Sequence, residues 1–537
     1  MVTSLLLLAS LLSAQEIADS VFWVYFTDKA GTEYQIDKPE EFLSERSVNR
    51  RAWQGLGVDH WDLPVNMNYV REIRDMGVEV KHISRWLNGI AMVNTDAGLF
   101  EQVMQKSFTD TVAWTPVTDD IYLPSTPQGS RFDPPLENPP EYSYGVAMEQ
   151  VTMMKVDYLH QLGYTGKGVW IAVLDAGFRN VDSLPSFEPM INQGRLQETR
   201  NFVDSTHIFR SSSTHGMYVL SIIAGEWDGN MVGSAPHASY LLCTTENSAK
   251  ETRIEEIAWV EAAEYADSLG YDVINTSLGY SDMDGDKYDY TYADMDGQST
   301  YISRAASLTA SRGMLLSNSA GNEGNDPWYY ITAPSDATDI FCVGAVDSTN
   351  EIGGFSSRGP SFDARIKPDV TAMGVLSGVQ ALNGGLARGS GTSFAAPVLT
   401  GSLASLWQAY PQVSAKEMIY IIRHNSDRSK NPDSTYGYGL PDFLATFWKI
   451  NAVPVRFTPG KLEVYPNPAR DLINIKIPEA GEDLQILRIY DMHGRMIHAI
   501  ETHIPGEVYL PATLVRGIYI LELNTGQGIY RSRLIKE

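Results

Sequence analysis

The stretch 389–397, GSGTSFAAP, places a serine between glycines and an apolar run. Small and apolar residues recur at helical spacing over Phe394–Tyr410, and Pro411 ends the pattern. Ser393 is therefore predicted at the start of a helix, where free N–H groups and the helix dipole favour developing negative charge. Its hydroxyl is either a nucleophile or a helix N-cap, and the stretch taken alone favours the N-cap.

A hydroxyl nucleophile needs a base and a group that orients the base, and the chain contains a candidate for each. His215 opens the helical run Gly216–Ala224, which would hold its ring rigidly, and histidine titrates near working pH. Asp175 follows the apolar strand Val169–Leu174, where its carboxylate can accept the imidazole N–H. A lone histidine before a helix is more often a cap or surface residue, and an aspartate after a strand commonly belongs to a turn.

Asn322 carries a side-chain amide that can donate a hydrogen bond to a tetrahedral oxyanion, with the backbone N–H of Ser393 as a second donor. The asparagine lies between Gly321 and Glu323, directly after an apolar strand. Its ordinary structural interpretation is a Gly-Asn turn.

The segment 145–449 must bring these side chains together, and in it apolar strands alternate with amphipathic helices. This alternation is typical of a parallel sheet covered on both faces. Ligands bind such sheets beyond the carboxyl ends of the strands, and Asp175, Ser277 and Asn322 each follow a strand end. The predicted strands are 169–174, 240–244, 273–277, 314–318 and 340–345, and the predicted helices are 253–269 and 302–312.

Five blocks of this segment resemble the conserved blocks of subtilisin-like serine proteases, in that family's order. They are VLDAG at 173–177, THGMYV at 214–219, NTSLG at 275–279, AGNEG at 320–324 and GTSFAAP at 391–397. The resemblance implies a three-layer α/β domain with a parallel sheet. It also implies an Asp175–His215–Ser393 triad, in the subtilisin order, with Asn322 in the oxyanion hole.

The same resemblance implies a substrate edge at Ser277, Leu278 and Gly279, to which an extended peptide adds as a strand. It places a specificity pocket between 277–280 and 319–322, with the loops 281–300 and 325–332 at its rim. Because no acidic residue is evident at the pocket floor, a broad or apolar preference is expected. The functional prediction is a secreted serine endopeptidase; the alternative is a catalytically silent surface or adhesion protein that retains the fold.

Composition limits the other function classes. The chain has 537 residues, of which 43% are hydrophobic, so several globular cores are expected. A formal net charge of −25 argues against nucleic acid and anionic membrane surfaces as partners. The two cysteines, Cys243 and Cys342, lie in apolar runs and are predicted to be buried free thiols rather than a disulfide.

The N-terminal run Leu5–Leu12 is too short to span a bilayer and is followed by small residues. Residues 1–14 are therefore predicted to be a secretory signal peptide, with a buried N-terminal strand as the alternative. Since no other run reaches about 18 apolar residues, no transmembrane segment is expected.

Residues 15–122 are predicted to form a separate α+β unit with the ferredoxin-like order strand-helix-strand-strand-helix-strand. The predicted elements are strands at 21–26, 78–83, 89–93 and 112–117 and helices at 39–53 and 98–106. By resemblance this unit is the protease's own propeptide, an inhibitory folding chaperone. Residues 123–144, rich in proline and glycine, are predicted to be a linker that is cut within 126–144.

After a short linker at 450–459, residues 460–537 alternate short strands with turn residues, which predicts a small β-sandwich. The motifs YPNP at 465–468, IYD at 489–491 with GR at 494–495, and GIY at 517–519 resemble the C-terminal sorting domain of type IX secretion cargo in Bacteroidota. This resemblance implies the type IX machinery as a partner and a secreted or surface-attached location. A carbohydrate-binding or other accessory sandwich is the alternative.

No cofactor is required for the predicted chemistry, and the metal content is left open. Aspartates alternate at 282, 284 and 286 and again at 294 and 296, which is a pattern that calcium can use. The spacing does not fit an EF-hand. A solvated acidic loop is favoured over a structural calcium site.

Overall fold

The computed structural model describes residues 20–94, 97–113, 115, 120–247, 250–284, 288–452, 460–461, 463–476, 484–490, 496–503, 506–511, 514–525 and 528–536. The chain divides into two compact units, 1–447 and 448–537. The predicted signal peptide at 1–14 lies outside the described residues. Within the described ranges, no helix has both the length and the apolar character needed to cross a bilayer.

The first part of unit 1 is a four-stranded antiparallel sheet in the order β2-β3-β1-β4. Its elements are β1 Ser20–Phe26, α1 Glu45–Trp53, α2 Met67–Asp75, β2 Glu79–Ser84, β3 Gly89–Asn94, α3 Ala97–Met104 and β4 Thr109–Asp110. A serine N-cap at Ser44, which accepts from Ser47 N, begins α1, so the predicted helix 39–53 is shorter and follows a separate 3₁₀ turn. Helix α2 was not predicted.

The last strand of this sheet is earlier than expected. It pairs Thr109 and Asp110 with Phe26 and Tyr25 of β1, ahead of the predicted 112–117. The apolar side chains that suggested the later strand are not all buried, since Val112 is 67% exposed. Residues 114 and 116–117 lie outside the described ranges.

The rest of unit 1 is built on a seven-stranded, all-parallel sheet in the order β13-β12-β11-β10-β5-β9-β6. The strands of this part are β5 Trp170–Asp175, β6 Leu196–Asn201, β7 Glu226–Trp227, β8 Met231–Val232, β9 Ser239–Thr244, β10 Val273–Thr276, β11 Leu315–Ser319, β12 Phe341–Val346, β13 Val370–Met373, β14 Ser377–Gln380 and β15 Leu386–Gly389. The helices are α4 Met148–Thr152, α5 Val156–Gln161, α6 Glu188–Asn192, α7 His215–Ala224, α8 Arg253–Leu269, α9 Tyr301–Ser311, α10 Thr392–Ala409, α11 Ala415–His424 and α12 Phe443–Ala452. The predicted parallel sheet is confirmed; β6, β13 and the β14–β15 hairpin were not predicted.

Successive strand residues point to opposite faces of this sheet and define three layers. Ile274 and Leu316 pack in one core with side chains of α8 and α9. On the other face, Asn275 Oδ1 accepts from the Thr400 hydroxyl of α10 at 2.7 Å. Because both faces are covered, the strands β5, β10 and β12 are buried along almost their whole length, and β5 and β12 have nearly continuous apolar sequences. Both cysteines are buried free thiols in this sheet, as predicted.

The connector 120–144 passes the amino ends of these strands. Arg131 Nη2 lies 2.8 Å from Asp272 Oδ1, directly before β10, and the Arg131 guanidinium lies 4.3 Å from the Trp407 ring centroid. Phe132 is buried, and the carbonyl of Asp133 accepts from Gln408 at 3.3 Å. This part of the connector is therefore held at the opposite edge of the sheet from the carboxyl ends of the strands.

The second unit contains a five-stranded and a three-stranded sheet. Its strands are β16 Gly460–Lys461, β17 Glu463–Tyr465, β18 Leu472–Lys476, β19 Leu484–Tyr490, β20 Met496–His503, β21 Gly506–Tyr509, β22 Gly517–Thr525 and β23 Gly528–Lys536. One apolar core joins Ile473 and Val508 of the smaller sheet to Leu487 and Leu521 of the larger sheet. The two sheets thus pack face to face. Part of the IYD…GR motif, 491–495, lies outside the described residues.

Candidate active site

The end of one strand and the start of one helix position the Asp175–His215 pair. Asp175 is the last residue of β5 and is fully buried, and His215 is the first residue of α7. His215 Nδ1 lies 2.7 Å from Asp175 Oδ1, which also accepts from the Ala176 N–H at 2.7 Å. The carboxylate therefore fixes the imidazole with a proton on Nδ1 and leaves Nε2 as the basic nitrogen.

Ser393 is the second residue of α10, because the helix begins at Thr392 with Gly391 as its N-cap. The N-cap interpretation of Ser393 is therefore wrong. The serine is 8% exposed, and its Oγ donates to the Ser277 carbonyl oxygen at 3.2 Å. Among the described residues, no hydrogen bond joins Ser393 Oγ to the His215 ring. The ring centroid of Phe394, the residue after Ser393, lies 6.2 Å from that of His215.

Thr392 orients the Asn322 amide. Asn322 Oδ1 accepts from the Thr392 backbone N–H at 2.9 Å and lies 3.1 Å from the Thr392 hydroxyl. The amide oxygen is therefore occupied, and Nδ2 has no acceptor within the described part of the chain. The Ser393 N–H is unpaired as well, as expected in the first turn of a helix. Sequence reasoning missed this role of Thr392, although the residue lies inside the GTS block.

We expect Asn322→Ala to lower kcat for peptide hydrolysis by about 10²–10³-fold with little change in KM, a scale taken from subtilisin. The amide would donate only to the oxyanion, which exists in the transition state and not in the bound substrate. Steady-state kinetics on one peptide substrate measure the effect. Asn431→Ala, at an exposed asparagine of unit 1, is the matched control. An equal loss in both variants would contradict a specific role for Asn322.

The predicted substrate edge follows β10. The Ser277 hydroxyl donates to the Ser393 carbonyl at 2.9 Å, and the Leu278 carbonyl accepts from Asn318 Nδ2 at 3.3 Å. The backbone N–H and carbonyl of Gly279 have no partner among the described residues. A Cβ at Gly279 would lie 2.1 Å from Thr332 Oγ1, so a side chain cannot be accommodated there. Gly279 thus leaves an open backbone position at the edge.

The aromatic residues at the predicted rim of the pocket divide into two kinds. Tyr330 stacks on Tyr292 with ring centroids 3.8 Å apart, so it packs against the domain. Its neighbour Tyr329 is 44% exposed. Trp328 donates from Nε1 to the Ile331 carbonyl at 3.2 Å and braces the loop internally.

The acidic loop uses its carboxylates in local turns. Asp294 accepts from the Thr291 N–H at 2.8 Å, and Asp296 accepts from the Gln298 N–H at 2.8 Å. Within the described ranges, no group of three or more potential metal-ligating side chains lies together. Asp286 lies outside those ranges. A structural calcium site therefore stays a prediction, with the solvated loop favoured.

The electrostatics of the pair predict the acid limb of the pH–rate profile. Burial alone would lower the pKa of His215, but the charge and hydrogen bond of Asp175 raise it above its ordinary value of 6.5. The ring must be neutral to accept the Ser393 proton, so activity falls as pH drops through this raised pKa. We expect the acid limb of kcat/KM to have its midpoint above 6.5 and to move down in Asp175→Asn. A wild-type midpoint below 6.5 on an uncharged peptide would contradict this assignment.

Comparisons with known proteins agree with this fold. Residues 166–439, about half of the chain, match the Subtilase family, Peptidase S8. The chain therefore belongs to the subtilase family. Residues 21–128 match the Peptidase S8 propeptide domain of Bacteroidota, and residues 463–537 match the secretion system C-terminal sorting domain. The predicted family, propeptide domain and sorting domain are thus confirmed, and the sorting domain indicates export to the cell surface or the medium.

Curated relatives align with about half of this chain. Subtilisin E of Bacillus subtilis is 29% identical over 265 residues, which are 49% of this chain and 61% of the relative. Subtilisin-like protease SBT6.1 of Arabidopsis thaliana is 29% identical over 279 residues, 50% of this chain and 24% of the relative. Human membrane-bound transcription factor site-1 protease is 30% identical over 313 residues, 56% of this chain and 27% of the relative. The chain therefore aligns with less than two thirds of each of these relatives.

Among solved structures, MycP1 with its N-terminal propeptide removed is similar, at a TM-score of 0.45 and 21% sequence identity. The similarity covers 56% of this chain and 96% of that structure.

Proposed function

We propose that the chain is a secreted serine endopeptidase that hydrolyses peptide bonds through an acyl-enzyme on Ser393. The observation that carries the proposal is the 2.7 Å bond between Asp175 and His215, whose ring centroid lies 6.2 Å from that of Phe394, the residue after Ser393. The Asn322 amide beside this serine is oriented with its donor free. A base, an orienting carboxylate, a nucleophile and an oxyanion donor therefore meet at the carboxyl ends of the strands.

The reaction begins with transfer of the Ser393 proton to His215 Nε2 and attack of Oγ on the scissile carbonyl carbon. The tetrahedral oxyanion accepts hydrogen bonds from Asn322 Nδ2 and the Ser393 N–H, and Asp175 stabilises the imidazolium. His215 then returns the proton to the leaving amine, which leaves an ester on Ser393. Water attacks this ester with His215 again as the base, and the free serine is restored.

The unpaired backbone at Gly279 supports an endopeptidase activity. An extended peptide that pairs with this backbone is held by its main chain on either side of a bond, without a need for a free terminus. Cleavage inside a chain follows from that mode of binding.

Casein hydrolysis by the matured protein, with and without phenylmethylsulfonyl fluoride, tests the proposal. We expect hydrolysis to stop when the reagent adds its sulfonyl group to the Ser393 peptide, as detected by mass spectrometry. A protein that takes up no label and leaves casein intact would instead be the silent surface or adhesion protein. Hydrolysis that survives complete labelling would exclude the serine mechanism.

The propeptide domain is proposed to act as the enzyme's own inhibitor and folding chaperone. In support, its α1 and the turn after β2 contact buried carboxylates of the catalytic part: Arg46 lies 2.5 Å from Asp272, and Glu264 accepts from the Trp86 N–H at 3.0 Å. A cut within 126–144 stays a prediction. Since Arg131 and Phe132 hold that segment at the amino ends of the strands, its cleavage by Ser393 of the same molecule requires this anchor to release first.

The C-terminal unit is proposed to bind the type IX secretion machinery during export. Support comes from its match to the sorting domain and from the exposed positions of Tyr465 and Tyr509 on the described part of that unit.

A further inference from the structure

A polar cavity lies beside the proposed triad and has no part in the chemistry. It has a volume of about 70 Å³ and is partly open to solvent. Its lining includes Ala176, next to Asp175, and Ser211, four residues before His215. Thr244 and Glu246, at and after the end of β9, form another part of the wall. The cavity therefore adjoins the side of the site that carries the base.

One carboxylate oxygen of Glu246 accepts a hydrogen bond from the protein, and the other has no donor among the described residues. Its Oε1 accepts from the Tyr280 hydroxyl at 2.9 Å, and Tyr280 directly follows Gly279 at the substrate edge. Among the described residues, none donates to Oε2. The Thr244 hydroxyl at the cavity wall is buried and is also without a partner in the described part of the chain. The cavity thus offers a fixed carboxylate oxygen and a spare hydroxyl to a ligand that donates hydrogen bonds.

The charged groups around Glu246 have the same sign. Burial raises the pKa of this carboxyl well above its ordinary value, and the carboxylates of Asp175, Glu251 and Glu255 raise it further. The Tyr280 hydrogen bond opposes this shift only in part. A cation in the cavity would relieve the repulsion and stabilise the ionised form of Glu246, whereas an anion would add to the repulsion.

The topology indicates which substrate residue reaches the cavity. Strand β10, which leads to the edge at 277–279, lies between β11 on one side and β5 and β9 on the other. The pocket expected for P1, the residue on the acyl side of the scissile bond, is on the β11 side, at 319–322. The cavity is on the β5–β9 side. Because successive side chains of an extended peptide point in opposite directions, the residue before P1 (P2) points towards the cavity.

We infer that Glu246 binds the cationic side chain of a lysine or arginine at P2, so that the protease prefers substrates with a basic residue before P1. This inference rests on the proposed protease function. The guanidinium or ammonium group donates to Glu246 Oε2, with the Thr244 hydroxyl as a second acceptor. A charge-assisted hydrogen bond of this kind discriminates by about 10-fold or more between a cation and a neutral group of the same shape.

Peptide p-nitroanilides that differ only at P2 test the inference with the matured wild-type protein. Arginine at P2 is compared with citrulline, its uncharged isostere, and with glutamate. We expect kcat/KM for arginine to exceed that for citrulline by about 10-fold or more, and this ratio to fall to near 1 in Glu246→Gln. In Glu246→Lys the order is expected to reverse, with glutamate preferred over arginine. In an extended peptide the P4 side chain points the same way as the P2 side chain. A second pair of peptides, with arginine or citrulline at P4, therefore tells whether the preference belongs to P2 or to P4.

Asp433→Asn is the matched control, because Asp433 is an exposed carboxylate outside the lining of the cavity and accepts from the Thr435 N–H at 2.7 Å. We expect the arginine-to-citrulline ratio to stay within about 2-fold of wild type in this variant. Equal rates for the arginine and citrulline peptides in the wild type would overturn the inference while leaving the protease function intact. So would an equal drop in the ratio in both variants, or a preference confined to P4. Failure to cleave any of the peptides, or casein, would instead count against the proposed function.

Discussion

Replacing Ser393 with alanine is expected to lower kcat for peptide hydrolysis by about 10⁶-fold, a scale taken from subtilisin. The expected loss is this large because the acyl-enzyme cannot form without Oγ, and His215 and Asp175 then have no proton to transfer. The proposed oxyanion donors, Asn322 Nδ2 and the backbone N–H of residue 393, remain in this variant, so a residual rate of about 10³–10⁴ above that of water is expected. Single-turnover and steady-state assays on the same peptide measure both quantities.

The matched control for Ser393→Ala is Ser402→Ala, on the same helix. Ser402 is fully buried, and its hydroxyl donates only to the Val398 carbonyl of the preceding turn, at 2.6 Å. We expect this variant to retain kcat within a few-fold of wild type, because no proposed catalytic atom contacts it. Retention of more than about 1% of kcat in Ser393→Ala would contradict the nucleophile assignment.

In Asp267→Asn, the population of the open state, in which the propeptide domain has separated from the catalytic part, is expected to rise by about 10²–10³-fold. Asp267, on α8, is fully buried and receives the guanidinium groups of Arg50, Arg51 and Arg85, all from the propeptide domain. Removal of one member of a buried charge cluster costs about 3–5 kcal/mol, because the partners stay buried and unpaired. The free catalytic part does not bear this cost, since residue 267 no longer faces the arginines there.

Trypsin added to the full-length Ser393→Ala chain measures this effect, because that variant cannot process itself. When opening is fast compared with cleavage, the rate of propeptide digestion follows the population of the open state. We expect digestion to accelerate by about 10²–10³-fold in Asp267→Asn, with the catalytic part still resistant. Asp339→Asn, whose exposed partner Lys416 lies at 3.2 Å, is the control and is expected to change the rate by less than about 2-fold. Unchanged protection in Asp267→Asn would show that the cluster does not hold the domain.

The same cluster predicts how the complex responds to acid. Burial alone would raise the pKa of Asp267, but the charges of Arg51, Arg50 and Arg85 hold it well below its ordinary 3.8. A carboxylate whose pKa is lower in the contact than in solvent stabilises the contact at every pH above its ordinary pKa. That stabilisation is lost only as the pH falls through the lowered pKa. Mild acid therefore leaves this contact in place.

The sequence predicted helices and buried strands best where the pattern was continuous. Helix α8 begins at Arg253 and ends at Leu269, as expected, because Thr252 caps it and Gly270 ends it in the left-handed region. The weaker strand β6 was missed, since its residues Leu196–Asn201 are largely polar and lie at the sheet edge. Helix α2 was missed because its nine residues include four charged ones.

Residue types and their order along the chain, together with the resemblance of five blocks to those of subtilisin-like proteases, were enough to propose Asp175, His215, Asn322 and Ser393 as the groups that acyl transfer needs. What they could not decide was orientation. Whether Ser393 caps α10 or follows its cap depends on where the helix begins, and which end of the Asn322 amide is free depends on the Thr392 N–H, 70 residues away. The same holds for Glu246, an unremarkable residue after β9 in the sequence. Only the parallel order of β10, β5 and β9 and the Tyr280 hydroxyl place its carboxylate at the edge that a substrate would occupy, because contacts between distant strands have no local pattern in the chain.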